Sequence, residues 1–141
     1  MEIIRKIKKV DIAKCVEIAL EAGSGEKINF LLNSMFSETV LFLEFYVYEE
    51  NNIIKAICGL CNSLQDYQTY NLISCYVKPN FQGFGIGKKL VDFRLKKIRE
   101  LKGQLVFSTT KETWHLERFG FKKIESPYKY YKVMQLNINY G

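Results

Sequence analysis

The chain has 141 residues, 48% of them hydrophobic, and a net charge of +6 from 21 Lys and Arg against 15 Asp and Glu. That length is enough for one domain with one core and short for two, so a single domain over residues 1–141 is expected. No apolar run approaches the roughly 18 residues that a membrane-spanning helix needs, and "MEIIRKIKKVDIAKCVEIAL" lacks the apolar stretch and cleavage site of a signal peptide, which points to the cytoplasm. The positive charge favours an anionic partner: a phosphate-bearing cofactor, a nucleic acid or an acidic surface.

Taken in chain order, "EIIRKI" alternates weakly and suits a short first strand. Asp11 stands as an N-cap before Ile12, Val16, Ala19 and Leu20, whose spacing is helical, and Gly23 and Gly25 stop that helix. "KINFLLNSMF" puts Ile28, Leu31, Leu32 and Met35 on one face and predicts a second helix. "VLFLEFYVYEENNIIKAICGLCNSL" is two β-rich runs broken at Asn51 and Asn52, a hairpin signal. "TYNLISCYV" follows the polar turn "QDYQ" as the next strand. "GKKLVDFRLKKIREL" is then a helix with Leu90, Val91, Phe93, Arg94, Leu95, Ile98 and Leu101 on a broad inner face, a basic outer face, and Gly103 closing it. "QLVFS" reads as a buried strand, "KETWHLERF" as a short helix, and "FKKIE" and "YYKVMQLNI" as two last strands around Pro127. The order β-α-α-β-β-β-α-β-α-β-β is α+β or mixed α/β: an antiparallel half, then a crossover helix into a neighbouring parallel strand.

Cys15, Cys58, Cys61 and Cys75 lie in apolar segments and read as small core hydrophobes. "CGLC" has metal or redox spacing, but there is no second such pair and only one histidine, His115, and strand alternation sends positions 58 and 61 to opposite faces. No metal site is expected. Glu49 and Glu50 flank the hairpin and are expected in solvent, whereas Glu44, inside "LFLEFYVY", is a candidate cation anchor in a cleft.

The stretch "YVKPNFQGFGIGKKLVDFRL", residues 76–95, carries three glycines at alternate positions between a strand and a basic helix. A dinucleotide fingerprint fails because position 88 is lysine and "LVFSTT" supplies no acidic residue. A Walker-type loop fails at Gln82 and Lys89. A plain tight turn does not require so many glycines, each of which costs backbone entropy. "Q-x-x-G-x-G", Gln82 to Gly87, after a strand ending in Val77, Lys78, Pro79 and opening a helix, resembles motif A of the GNAT superfamily of N-acetyltransferases. Successive amides of residues 83–88 can wrap a pyrophosphate, the helix dipole adds partial positive charge, and Lys88 and Lys89 add mobile charge. The element order matches that family over nearly the whole chain, and "LERFGFKKI" is similar to its late helix-to-strand passage.

The resemblance implies a GNAT-like fold, a central mixed and mostly antiparallel sheet splayed between strands 4 and 5 and flanked by helices. It also implies acetyl-coenzyme A as co-substrate, with the pantetheine arm threaded between "ISCYV" and "QLVFST". The cofactor-binding residues are then Cys75, Tyr76, Val77, Gln82, Gly83, Phe84, Gly85, Ile86, Gly87 and Lys88, and the reaction is direct attack by a primary amine of a small molecule or peptide. Many relatives place an acid tyrosine where this chain has Leu116, and some a base glutamate where it has Asn71. The substitutes nearby are His115, Cys75, Ser108, Tyr128, Tyr130 and Tyr131, of which His115 and Tyr130 are taken as the catalytic candidates. A homodimer is compatible with the aromatic C-terminal strands. Two readings compete: an acyl-coenzyme-binding module without catalysis, and nucleic-acid binding through the seven cations of residues 88–102, the latter unaccompanied by any nucleic-acid-binding motif.

Overall fold

The computed structural model describes residues 1–34, 36, 42–63 and 68–140. The strands are β1 (Glu2–Lys6), β2 (Leu43–Glu50), β3 (Ile53–Asn62), β4 (Thr69–Val77), β5 (Leu105–Thr110), β6 (Lys122–Ile124) and β7 (Lys132–Asn137); the helices are α1 (Ile12–Glu21), α2 (Lys27–Ser34), α3 (Ile86–Glu100) and α4 (Trp114–Glu117). They follow one another in the expected order. Met35 of the second predicted helix and residues 65–67 of the "QDYQ" turn lie outside the described residues. Among the described residues no helix is long and apolar enough to cross a membrane.

All seven strands join one sheet in the order β1-β2-β3-β4-β5-β7-β6. Every pairing is antiparallel except β4 with β5, the two strands that α3 connects as a crossover must. Asn51 and Asn52 take φ of 52° and 65° and turn β2 into β3, with Glu50 opposite Ile53. Two left-handed residues in succession make a tight hairpin whose twist matches its strands, and asparagine tolerates them.

The sheet buries both faces. Phe45, Val47 and Ile57 point to one side, where they meet Cys15 and Ala19 of α1 and Ile28 and Leu32 of α2. Tyr46, Tyr48, Cys58, Leu60 and Val106 point to the other, against Leu90, Val91, Leu95 and Ile98 of α3 and Leu116 of α4. Alternation along β2 and β3 feeds the two layers in turn, and each fully buried aliphatic contributes about 1.5–3 kcal/mol. Cys58 and Cys61 fall on opposite faces as the strand period requires.

Helix ends depart from expectation in instructive ways. Asp11 makes no side-chain cap on α1; its carboxylate accepts from the Lys8 amide at 2.8 Å and from two nitrogens of Arg5. Gly23 does end α1 in the left-handed region, φ 97°, with Ser24 N–H donating back to the Ala19 carbonyl. At the end of α3 the left-handed residue is Lys102, φ 63°, not Gly103. Gly103 donates to the Ile98 carbonyl at 2.9 Å and Lys102 to that of Arg99, the paired bonds of a Schellman motif. Gly103 is glycine for another reason: a Cβ there would lie 2.5 Å from Ile98 and 2.8 Å from the Tyr70 ring. Leu101 is 39% exposed, off the inner face. The predicted "KETWHLERF" helix contracts to Trp114–Glu117.

Candidate active site

Two local irregularities set the geometry. Between Gly59↔Ile73 and Ile57↔Tyr76 the register of β3 with β4 shifts: one residue of β3 spans what two of β4, Ser74 and Cys75, span. Ser74 takes φ of 52°, which makes this a bulge in β4. As a result Ile73 and Tyr76, three apart, pack into the same α1–α2 side of the core. Cys75 is turned out and exposed, so it is not the core hydrophobe that its apolar surroundings suggest. Alternation in "LISCYV" carries no sign of the extra residue.

The second irregularity is the seam between the parallel strands. β4 and β5 pair from Thr69↔Leu105 to Leu72↔Ser108 and then stop, although β4 runs on to Val77 and β5 to Thr110. A cavity of about 360 Å³ opens there, lined by residues 71–74 on one strand and 107–109 on the other, with Cys61 at its side. The expected splay between strands 4 and 5 is therefore present, and the bulge sits at its lip.

Beyond Val77 the chain makes one helical turn, residues 79–81, and enters the glycine loop. Gln82 donates from Nε2 to the Val77 carbonyl at 3.0 Å, so this side chain braces the loop on the end of β4. Gly83 and Gly85 both have φ of 85° with nothing within 4 Å of a Cβ position, and Gly85 is the left-handed N-cap of α3. Among the described residues no backbone carbonyl accepts from the amides of residues 83–88. Six unengaged amides at the positive end of a fifteen-residue helix, on a surface that glycine leaves bare, are an arrangement that can accept an anion. Phe84 projects from it, 75% exposed, while Ile86 is buried and anchors the first turn.

Lys88 is exposed beside this loop. Lys89 is not equivalent: its ammonium is held by the Glu2 carboxylate and lies over the Tyr48 ring. Arg94 is 2% exposed inside the core, so the basic face of α3 has fewer free cations than the seven counted in sequence. That weakens the nucleic-acid reading. Glu44 is also committed elsewhere, to the Tyr46 hydroxyl and the Lys6 ammonium; both hold its pKa below the usual carboxylate range against the opposing effect of burial.

The catalytic candidates lie past the end of β5. Leu116 is buried in the core and 3% exposed, with no acid group to offer. His115 is half-buried, its Nε2 3.4 Å from Thr110 Oγ1 and its ring 5.6 Å from that of Trp114. Burial and the neighbouring Arg118 push its pKa below the usual value, with Glu112 opposing. Tyr130 is 78% exposed in the connection from β6 to β7. The structure brings Cys75, Tyr76, Val77 and residues 82–88 together around the end of β4; no hydrogen bond joins His115 or Tyr130 to that group among the described residues.

Sequence-reading missed two features here: the Ser74 bulge and the bonds to sheet carbonyls that Arg94, placed on the inner face of α3 as expected, makes there. The guanidinium donates to the carbonyls of Gly59 at 2.9 Å, Ile73 at 3.3 Å and Leu90 at 3.2 Å. A lone arginine at an inner helix position was the available signal.

Comparison with known proteins agrees with this geometry. Residues 42–123, more than half of the chain, match the model of the acetyltransferase (GNAT) domain. No curated protein matches the sequence. Among solved structures, the ribosomal-protein-S18-alanine N-acetyltransferase of Escherichia coli superposes with a TM-score of 0.82 at 15% identity, covering 100% of this chain and 96% of that one. The PaiA N-acetyltransferase of Thermoplasma acidophilum, in complex with coenzyme A, gives 0.80 at 15% identity over 98% and 99% of the two chains. A GNAT family acetyltransferase of Brucella melitensis, in complex with acetyl-CoA, gives 0.77 at 22% identity over 99% and 89%. At these identities the likeness is one of fold.

Proposed function

Because the chain belongs to the GNAT acetyltransferase family, we propose that it transfers the acetyl group of acetyl-coenzyme A to a primary amine of a small molecule or peptide, as a single domain and by direct attack in a ternary complex. The observation that carries this reading is the run of unengaged amides at residues 83–88 lying directly beyond the opened β4–β5 seam. A phosphate bound at the helix start and an arm laid into the seam would be continuous along one path. The residues fit such a ligand: glycines at 83 and 85 leave the approach open, and Lys88 adds charge.

The coenzyme, when bound, supplies an acyl thioester. The amides of residues 83–88 would hold its pyrophosphate, and the end of β4, residues 75–77, would align the arm. The amine nitrogen bonds to the acyl carbon as the carbon–sulfur bond breaks; the bonding pair leaves on sulfur, and a proton of the amine ends there. Positioning and a polar lip account for catalysis without a covalent enzyme intermediate. With Leu116 in place of an acid, the departing thiolate, of pKa about 8.5, leaves unassisted or takes its proton by way of His115 or Tyr130.

Calorimetric titration with acetyl-coenzyme A, with NAD as control and Gly85→Asp as variant, tests the reading. Saturable binding abolished by the aspartate supports it, and a folded protein that binds no acetyl-coenzyme A sinks it. The buried, apolar Leu116 favours one second reading, a binding module without catalysis. Release of free thiol with any of a panel of amines decides between the two.

A further inference from the structure

Arg94 is the largest fully buried side chain among the described residues, and none of their ion pairs includes it. A cation taken out of water without a counter-charge is expensive, and an apolar residue of similar volume would fill the same space at less cost. What it does instead is specific. Its Nη1 reaches the carbonyls of Gly59 and Ile73, register partners and the last pair before the bulge. Gly59 is itself required there, since a Cβ would come within 2.7 Å of Ile73 Cγ1 and 2.8 Å of the Phe45 ring.

The Ile73 carbonyl belongs to the same peptide unit as the Ser74 amide. Among the described residues no peptide bond is cis, and in a trans unit the carbonyl and the following N–H point in opposite directions. With the carbonyl turned toward Arg94, the Ser74 N–H is directed away from it, and Ser74 lines the cavity that begins where pairing with β5 has stopped at Leu72↔Ser108. A charge-assisted bond at one end of a peptide unit polarises it and strengthens the donor at the other.

We propose that Arg94 is a positioning residue for acyl transfer: by clamping the Gly59 and Ile73 carbonyls it aims the Ser74 amide into the β4–β5 cleft as a donor to the acyl oxygen. The proposal rests on the acetyl-coenzyme A reading above. It assigns to a buried helix residue, touching no ligand, control over the geometry of the oxygen's partner.

The test is amide NMR of 15N-labelled protein titrated with acetyl-coenzyme A and, separately, with coenzyme A, which lacks the acyl carbonyl. In the wild type the Ser74 amide proton moves with the acetyl form and at least about twofold less with the free thiol, as a donor to that oxygen must. Arg94→Met abolishes this difference while calorimetry still finds acetyl-coenzyme A bound. Arg94→Lys, whose single ammonium lacks the guanidinium fork, restores part of it. A merely structural role would lower the melting temperature yet leave the acetyl-dependent shift intact in the folded fraction, and that result overturns the proposal. Should Arg94→Met not fold, Arg94→Lys carries the test: a shift equal to wild type refutes the clamp. If the wild type binds no acetyl-coenzyme A, the parent reading fails and the proposal with it; if it binds but Ser74 does not respond, the proposal alone fails.

Discussion

The Glu2 carboxylate accepts from the Lys89 ammonium at 2.8 and 2.9 Å, tying the edge strand β1 to the first turn of α3. The Tyr48 hydroxyl donates to the same carboxylate, and these bonds lower the pKa of Glu2, that to Lys89 most. Lys88 and Lys89 are adjacent in sequence and opposite in availability. Lys88→Met is therefore expected to weaken acetyl-coenzyme A binding about three- to tenfold at low ionic strength, and Lys89→Met less than about twofold, the former difference shrinking as salt is added. Calorimetry at two salt concentrations checks this. A larger loss at Lys89 would mean that the ammonium leaves Glu2 for the ligand.

Two glycines at the ends of the same helix are expected to fail in different ways. Gly85 has a positive φ and open space around it, whereas Gly103 has close neighbours and an ordinary φ. Gly85→Ala meets no clash in the free protein and costs about 1 kcal/mol of backbone strain. Its chief effect is a loss of coenzyme affinity beyond tenfold, because the methyl stands where phosphate must approach. Gly103→Ala drives a methyl against Ile98 and Tyr70 and costs about 1–3 kcal/mol by overpacking. The affinity of its folded fraction stays unchanged. Thermal melts paired with calorimetry on both variants separate strain from function.

How much of this was legible in the chain follows from which signals are local. Hydrophobic period and turn chemistry are local, so the strand and helix order, the Asn51–Asn52 hairpin and the glycine loop could be read directly, and the resemblance carried by that loop led to the family and to the splay. The bulge could not be read, because nothing in the letters of "LISCYV" marks an extra residue; it shows only in the register of β4 against β3 and in the left-handed Ser74. Cys75 was misjudged for the same reason. The fates of Lys89, Glu44 and Asp11 depend on partners 87, 38 and 6 residues away, and no local pattern announces such pairings. Catalysis was the least legible layer, since positions 71 and 116 hold asparagine and leucine and leave proton transfer to side chains that only a bound acceptor would identify.

Asp11 is expected to make stability pH-dependent on the acid side. The Arg5 guanidinium, the largest influence, and the Lys8 amide hold its carboxyl below the usual value, against the opposing effect of burial. A depressed folded pKa means that the unfolded chain binds the proton first. The contribution is complete above the unfolded value of about 4 and is lost as pH falls through the folded one. Asp11→Asn should cost about 2 kcal/mol at pH 7 and flatten the stability profile below pH 4. Arg5 keeps Glu49 as a partner at 2.8 Å, so the loss should fall short of that for a fully orphaned buried charge. Urea melts from pH 3 to 7 check the slope.

His115 gives a second slope, of the same sign and at higher pH, and with it a test of its role. Its folded pKa lies below 6.5, chiefly through burial and then through Arg118. Between that value and 6.5 the unfolded chain binds more protons, so stability rises with pH across the window and levels off above 6.5. His115→Gln should remove this slope from urea melts whatever the side chain does in catalysis. The rate profile is the separate reading. If His115 relays a proton, thiol release with an accepted amine falls as pH drops through that same depressed pKa, and the glutamine variant loses both the inflection and about 10²-fold or more in kcat, with little change in the KM for acetyl-coenzyme A. Should the stability slope vanish while the rate profile stays put, His115 is a packing residue against Thr110 and Trp114. The proton then passes through Tyr130 or water, and Tyr130→Phe becomes the variant that lowers kcat.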